Sequence, residues 1–180
     1  MARATNRFHA AATVGSVAIL KEATRWEANS VDEQLRTPVL LAAANGRTAA
    51  LELLLKRGGD IRRTDRQGNT ALHLAAIGGH RTCIECLLGA GCCNLFEMNT
   101  AGRTALDEAK LHRQQETAEL LERATKELCS SRTPEKLQEL RSRAAKNYEK
   151  LKHRYGAVIS LHLGDSFRAL EEHSTLEETA

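Results

Sequence analysis

By type and spacing, the side chains of this 180-residue sequence best suited to chemistry are its cysteines: Cys83-x-x-Cys86 is followed closely by Cys92-Cys93. Two short Cys pairs are the pattern with which thiolates hold a structural zinc ion. With Cys129 the total is five, and an odd count suits a reducing cytoplasm better than a disulfide framework. His73 is the histidine to weigh as a ligand or base. Against catalysis, the chain holds no Gly-rich phosphate loop, no Ser/His/Asp or Cys/His set and no H-E-x-x-H. Neither enzymatic activity nor a cofactor is expected. A formal charge of +3 is too mild to imply a nucleic-acid partner, and no apolar run is long enough to span a membrane.

The elements that position these residues repeat. Thr70-Ala71-Leu72-His73-Leu74-Ala75-Ala76 is preceded 33 residues earlier by Thr37-Pro38-Val39-Leu40-Leu41-Ala42-Ala43 and followed 34 later by Thr104-Ala105-Leu106-Asp107-Glu108-Ala109. A Leu stands 17 residues after each Thr, at Leu54, Leu87 and Leu121. A 33-residue unit carrying T-P-L-H-x-A is the ankyrin repeat, a turn followed by two short antiparallel helices. Thr37, Thr70 and Thr104 sit at helix N-caps, and Pro38 falls in the first turn, where its missing N–H costs nothing. Ala42, Ala43, Ala75 and Ala76 let neighbouring repeats stack closely. Leu51, Leu54, Leu55, Ile84, Leu87 and Leu88 give the second helices an apolar stripe that one repeat cannot bury alone. Gly46 and Gly79 turn the chain between helices, and Gly58 and Gly91 end the second helix.

Phe8-His9-Ala10-Ala11-Ala12 reads as a degenerate first copy, with Gly15 at the Gly79 position and Ile19, Leu20 and Ala23 on the second-helix stripe. The fold class expected is therefore all-α, an ankyrin-repeat solenoid of about four helix-turn-helix repeats (about 5–34, 37–66, 70–99 and 104–128) within residues 1–129. The first repeat lacks the helix-ending Gly, and the fourth replaces its inter-helix Gly by His112-Arg113-Gln114-Gln115, as capping units with wetter faces would. Arg3 and Arg7 ahead of the apolar stretch 10–20 imitate a signal peptide. The repeat register, its Ala-rich character and continued helix through Lys21-Glu22-Ala23 argue against one. The same register removes the zinc reading, because Cys83 and Cys86 take the places of Ala50 and Leu53 one repeat earlier, and Cys92-Cys93 opens a loop. His73 becomes the T-P-L-H histidine that fixes the turn by hydrogen bonding.

After residue 132 the pattern changes. Thr133-Pro134-Glu135 is a helix start, and Leu137, Leu140, Ala144, Tyr148, Leu151 and Tyr155 recur at three- and four-residue steps. They define one apolar edge of a basic amphipathic helix over 133–155, with seven Lys/Arg against three Glu. Such a helix folds back as a cap, forms a coiled-coil or partner-binding arm capable of weak self-association, or meets a membrane surface or nucleic acid. Residues 156–180 are apolar to Leu163 and then acidic, which predicts a disordered tail or at best a short helix over 167–173. The end Glu178-Thr179-Ala180 lacks the Ser or Thr two places before the terminus that a common PDZ ligand requires.

Phe8-His9 with Ala11, Lys21-Glu22-Ala23-Thr24-Arg25, Asp32-Glu33, Arg57-Gly58-Gly59-Asp60, Gly68-Asn69-Thr70 and Leu106-Asp107 resemble the N-terminal ankyrin module of the Sans and Harp scaffold proteins, over about residues 5–155 including the basic helix. Those are ankyrin-and-SAM proteins of hair-cell stereocilia and intestinal microvilli. In that family the module precedes a myosin-VII-binding segment, a SAM domain and a PDZ-binding terminus. None follows here, so the resemblance implies a truncated isoform or a divergent paralogue. It also implies a non-enzymatic cytoplasmic scaffold in an actin-rich projection; the alternative is a soluble regulatory adaptor or inhibitor without cytoskeletal attachment.

Ankyrin stacks bind proteins on the concave surface made by turn tips and first-helix ends, where side chains are free of packing. The candidate protein-binding residues are Glu33, Gln34, Arg36 and Asn45; Arg62, Arg63, Arg66, Gln67, Asn69 and Ile77; and Asn99, Arg103 and Lys110, with Ala44, Gly78 and Leu111 beside them. Arg62, Arg63 and Arg66 crowd one turn, as a solvated loop or as a site for an acidic partner or anionic surface.

Overall fold

A computed structural model describes residues 7–91 and 93–162, which form ten helices and no strand. They are α1 Arg7–Val14, α2 Val17–Leu20, α3 Arg25–Ala28, α4 Pro38–Ala44, α5 Thr48–Lys56, α6 Ala71–Ile77, α7 Arg81–Gly89, α8 Ala105–Leu111, α9 Gln115–Ser131 and α10 Pro134–His162. Helices α1, α4, α6 and α8 pack side by side in one row, and α2, α5, α7 and α9 form the second row behind them. This is the expected stack of helix pairs.

The first helices α4, α6 and α8 start where Thr37, Thr70 and Thr104 predict. Thr37 Oγ1 accepts from the Leu40 N–H at 3.3 Å, and Thr104 Oγ1 from the Asp107 N–H at the same distance. Ala42, Ala43, Ala75, Ala76 and Ala109 are fully buried between neighbouring first helices, so their size sets how closely the row packs. Leu51, Leu54, Ile84 and Leu87 are also fully buried, each contributing roughly 1.5–3 kcal/mol on burial, whereas Leu55 and Leu88 are half-buried at the edge. Cys83 belongs to this core, with Thr48 Oγ1 at 3.3 Å from its sulfur, and burial pushes its thiol pKa up. Cys92 lies outside the described residues.

Two expectations need correction in the first repeat. The chain does not continue as helix through Lys21-Glu22-Ala23: α2 ends at Leu20, because Thr24 opens a new helix with a capping box. The Thr24 N–H donates to Glu27 Oε2 at 2.9 Å, and the Glu27 N–H returns to Thr24 Oγ1 at 3.3 Å. Leu20 and Ala23 are buried as expected, but Ile19 is 38% exposed, since so short a helix has one covered side.

Helix α9 runs well past the length of α5 and α7, and α10 then folds back along the stack. It crosses the turns and loops of the third and fourth repeats. The Asn94 side-chain amide donates to the Leu140 carbonyl at 3.0 Å, Arg141 stacks over the Phe96 ring at 5.2 Å, and Asn147 donates to Glu97 at 2.9 Å. Ala144 and Tyr148 are buried in this contact, while Leu137, Leu140, Leu151 and Tyr155 are half-buried. The apolar edge that would serve self-association is thus largely covered by the chain's own loops. The helix continues beyond Tyr155 to His162, and residues 163–180, which carry the acidic segment, lie outside the described residues.

Candidate protein-interaction surface

Three turns precede α4, α6 and α8, and one geometry builds them all. Asp32 Oδ1 accepts from the backbone N–H of Gln34 at 2.9 Å and of Arg36 at 2.8 Å. Asp65 Oδ1 accepts from Gln67 at 2.9 Å and Asn69 at 2.8 Å, and Asn99 Oδ1 from Ala101 at 3.0 Å and Arg103 at 3.1 Å. A short side-chain acceptor that satisfies the amides two and four residues on is what Asp and Asn supply in turns. The third turning residue has positive φ each time: Leu35 (61°), Gly68 (75°) and Gly102 (70°).

Neighbouring turns are held in register by backbone bonds, Arg66 N–H to Gln34 carbonyl and Thr100 N–H to Gln67 carbonyl, each 3.0 Å. Histidines tie two of the first helices, α1 and α6, to the next turn. His9 Nε2 meets the Arg36 carbonyl at 3.1 Å, and His73 Nε2 meets the Arg103 carbonyl at 3.0 Å while its Nδ1 lies 2.8 Å from Thr70 Oγ1. A carbonyl only accepts, so Nε2 carries the proton in both rings. Burial holds the His73 pKa below its ordinary value, and the ring is a structural bridge.

Below the turn tips runs a buried polar chain. Asn69 donates to Asp65 Oδ2 at 3.2 Å, and Asn99 donates to Asn69 Oδ1 at 3.0 Å and to Glu108 Oε1. Arg103 Nε closes on Glu108 Oε1 at 2.8 Å. Burial pushes the Asp65 carboxyl up despite its bonds from Asn69 and Gln67. At Asp32 burial also opposes ionisation, but the Arg36 and Gln34 amides and the Arg36 guanidinium outweigh it and hold the pKa below the usual range.

These contacts sort the candidate residues. Asn69 and Asn99 are 3% exposed and face inward, a correction to their placement on a free surface: their amides are consumed in joining turns. Arg36 and Arg103 are half-buried in ion pairs with Asp32 and Glu108. Glu33, Gln34, Asn45, Arg66, Gln67 and Lys110 are exposed, and Ile77 is half-buried. Lys110 pairs with Glu122 at 2.7 Å, and Leu111 beside it is 58% exposed.

The arginine cluster also divides. Arg66 reaches back to the Glu33 carbonyl at 3.0 Å, whereas Arg62 pairs with Asp60 at 3.1 Å and, with Arg63, lines a groove against α10. Sequence reasoning missed Asp32 and Asp65 as turn organisers, although Asp32, Asp65 and Asn99 keep the repeat spacing. It also missed that α10 approaches the tips: a methyl group at Gly68 would lie 2.9 Å from Leu151 Cδ1, and one at Gly102 3.1 Å from the Tyr148 hydroxyl.

Among the described residues no group of three or more His, Cys, Asp or Glu side chains converges as a metal site, and no helix is long and apolar enough to cross a membrane. Residues 8–96 and 42–130 match the family model described as ankyrin repeats (3 copies). Over 65 residues, 36% of this chain, the sequence is 45% identical to ankyrin repeat and SAM domain-containing protein 4B of Mus musculus; over 64 residues it is 45% identical to the Homo sapiens protein of that name. Each stretch is 15% of the relative. A further stretch of 64 residues, 33% of this chain and 17% of the relative, is 44% identical to ankyrin repeat domain-containing protein 63 of Homo sapiens. The chain thus covers only 15–17% of the length of these relatives.

Proposed function

The chain belongs to the ankyrin-repeat family, and from that premise we propose that it is a non-enzymatic adaptor gripping a protein partner across its turn tips and first-helix ends. The observation that carries this reading is the row of groups left over from packing. Asn45, Ile77, Lys110 and Leu111 stand at the ends of consecutive first helices, and Gln34, Arg66 and Gln67 at the tips, on a rigidly bonded frame. A half-buried Ile and an exposed Leu offer apolar anchors with a polar rim, the usual anatomy of a binding patch.

The site of action proposed is an actin-based cell projection. That step rests on the resemblance to the Sans and Harp scaffolds and is supported by the 45% identity to ankyrin repeat and SAM domain-containing protein 4B. A second reading, a soluble regulatory adaptor without cytoskeletal attachment, draws on the comparable identity, 44% over 64 residues, to ankyrin repeat domain-containing protein 63 of Homo sapiens. Affinity capture with the chain, set against an Ile77→Ser/Lys110→Ala/Leu111→Ser variant, tests the surface. A partner retained by the variant would remove the proposal, and co-sedimentation of the captured complex with actin filaments separates the two readings.

A further inference from the structure

Where α10 returns over the loops it leaves a groove of about 1210 Å³ with two cationic walls. One wall is α10 itself. Lys136, Arg143 and Lys150 recur at seven-residue steps, followed by Arg154 one turn on, so a single helix face points its charges into the groove. The other wall is formed by Arg25 at the start of α3 and by Arg62 and Arg63 in the loop after α5. Eight cationic side chains line the space against three carboxylates, and those three are already engaged: Asp60 with Arg62, Glu139 with Lys136, and Glu97 with Asn147. Among the described residues, Arg25, Arg63, Arg132, Arg143, Lys150 and Arg154 take part in no ion pair. Asp60 also attracts Arg63 and Glu139 also attracts Arg143, but eight cations against three carboxylates leave an excess of positive charge that repels itself, and an anionic occupant relieves that repulsion.

The groove also has an apolar component. Ile61, Leu140 and Leu151 line it, and Trp26, 80% exposed, lines it too. An exposed indole is a poor use of apolar area in a free protein and a frequent anchor at interfaces. The volume exceeds the roughly 300–1,000 Å³ of small-molecule pockets, so an extended segment fits better than a metabolite. Walls on two sides favour a strand of chain over a flat membrane. We propose that this groove is a second docking site, for an acidic peptide segment of a partner protein that sets its carboxylates between the two walls and an apolar side chain against Trp26. It goes beyond the turn-tip surface and shares none of the anchors proposed there.

Trp26 is the chain's single tryptophan, so it reports occupancy directly. The test titrates the full chain with a fluorescein-labelled peptide of alternating Glu and Ser around one Leu, following anisotropy and, with the unlabelled peptide, Trp26 emission. Binding should shift that emission, weaken as NaCl rises, and fall about tenfold or more in Arg63→Glu/Arg143→Glu, about the effect of losing one close interfacial charge pair. Ile77→Ser/Leu111→Ser should bind the peptide unchanged, which separates failure here from failure of the turn-tip surface. Lys21→Glu/Arg123→Glu makes the same change in net charge outside the groove; an equal loss there would reduce the effect to bulk electrostatics and overturn the proposal. Should Arg63→Glu/Arg143→Glu lose its helical signal, Arg63→Gln/Arg143→Gln carries the same test. Capture of phosphatidylserine vesicles without the peptide would replace the proposal by a membrane contact. Peptide binding that emerges only after removal of residues 163–180, with their Asp165, Glu171, Glu172, Glu177 and Glu178, would assign the groove to the chain's own acidic segment and overturn a partner in trans.

Discussion

Arg113 occupies the inter-helix position that Gly46 and Gly79 hold in the two preceding repeats, with φ of 57° against their 66° and 69°. A Cβ in the left-handed region costs roughly 1–2 kcal/mol, and glycine gives back roughly half of that through the freedom it adds to the unfolded chain. Arg113→Gly should therefore stabilise the fold by about 0.5–1 kcal/mol, seen as a raised melting temperature; a lowered one would mean that the side chain contributes more than its backbone costs. His73 allows a pH argument. Burial keeps its folded pKa below the ordinary 6.5, so the unfolded chain binds the proton more readily. Its contribution is complete above about pH 6.5 and declines as pH falls from there toward the folded value. Urea midpoints should drop across that window less steeply in His73→Gln than in the unaltered chain, and parallel curves would acquit this ring.

At the scale of elements, α10 is the piece whose role the structure defines. Its cover of the turns before α6 and α8 predicts that truncation after Ser131 lowers stability by about 2–4 kcal/mol, from the apolar area around Ala144, Tyr148 and Phe96 that returns to water. An unchanged melting temperature would mean that the helix lies on the stack without stabilising it. Tyr148 refines the point, because its hydroxyl is buried against Gly102 with no hydrogen-bond partner among the described residues. Replacing that hydroxyl by hydrogen in Tyr148→Phe is expected to be neutral or to gain up to about 1 kcal/mol, whereas a clear loss would reveal a bond to an ordered water.

For the molecule as a whole, a stack is as cooperative as its interfaces. Leu87 is fully buried in α7, between α5 and α9, with no exposed edge into which neighbours can collapse. Leu87→Ala should cost roughly 2–5 kcal/mol. Because α7 carries the contact between the second repeat and the fourth, the loss should broaden the unfolding transition as well as shift it, as nearest-neighbour coupling across the array weakens. A small shift at undiminished sharpness would show that the array does not depend on this interface. The molecule also offers two unlike surfaces on one rigid frame, the turn tips with Ile77 and Leu111 and the cationic groove beside Trp26, so the substitutions that test one leave the other intact.

Periodicity alone determined the stack. The Thr, Ala and Leu of each unit recur because every repeat solves the same local problem, capping a helix, admitting a close neighbour and covering a stripe, and the solution is written in residues near one another in sequence. The same register placed Cys83 in the core and His73 at the turn. What the sequence left undecided were choices between equivalent local roles. Asn69 and Asn99 have the polarity of surface residues, and only the approach of successive turns, which lets one amide donate to the other, makes them buried links. The basic helix was legible as a helix with one apolar edge, yet which loops it would cover depends on the length of α9 and the angle at which the chain returns, neither of which is a periodic property. Its cationic face gains a second wall only because that return brings Arg143 and Lys150 opposite Arg25 and Arg63, residues far apart in sequence that no spacing rule connects.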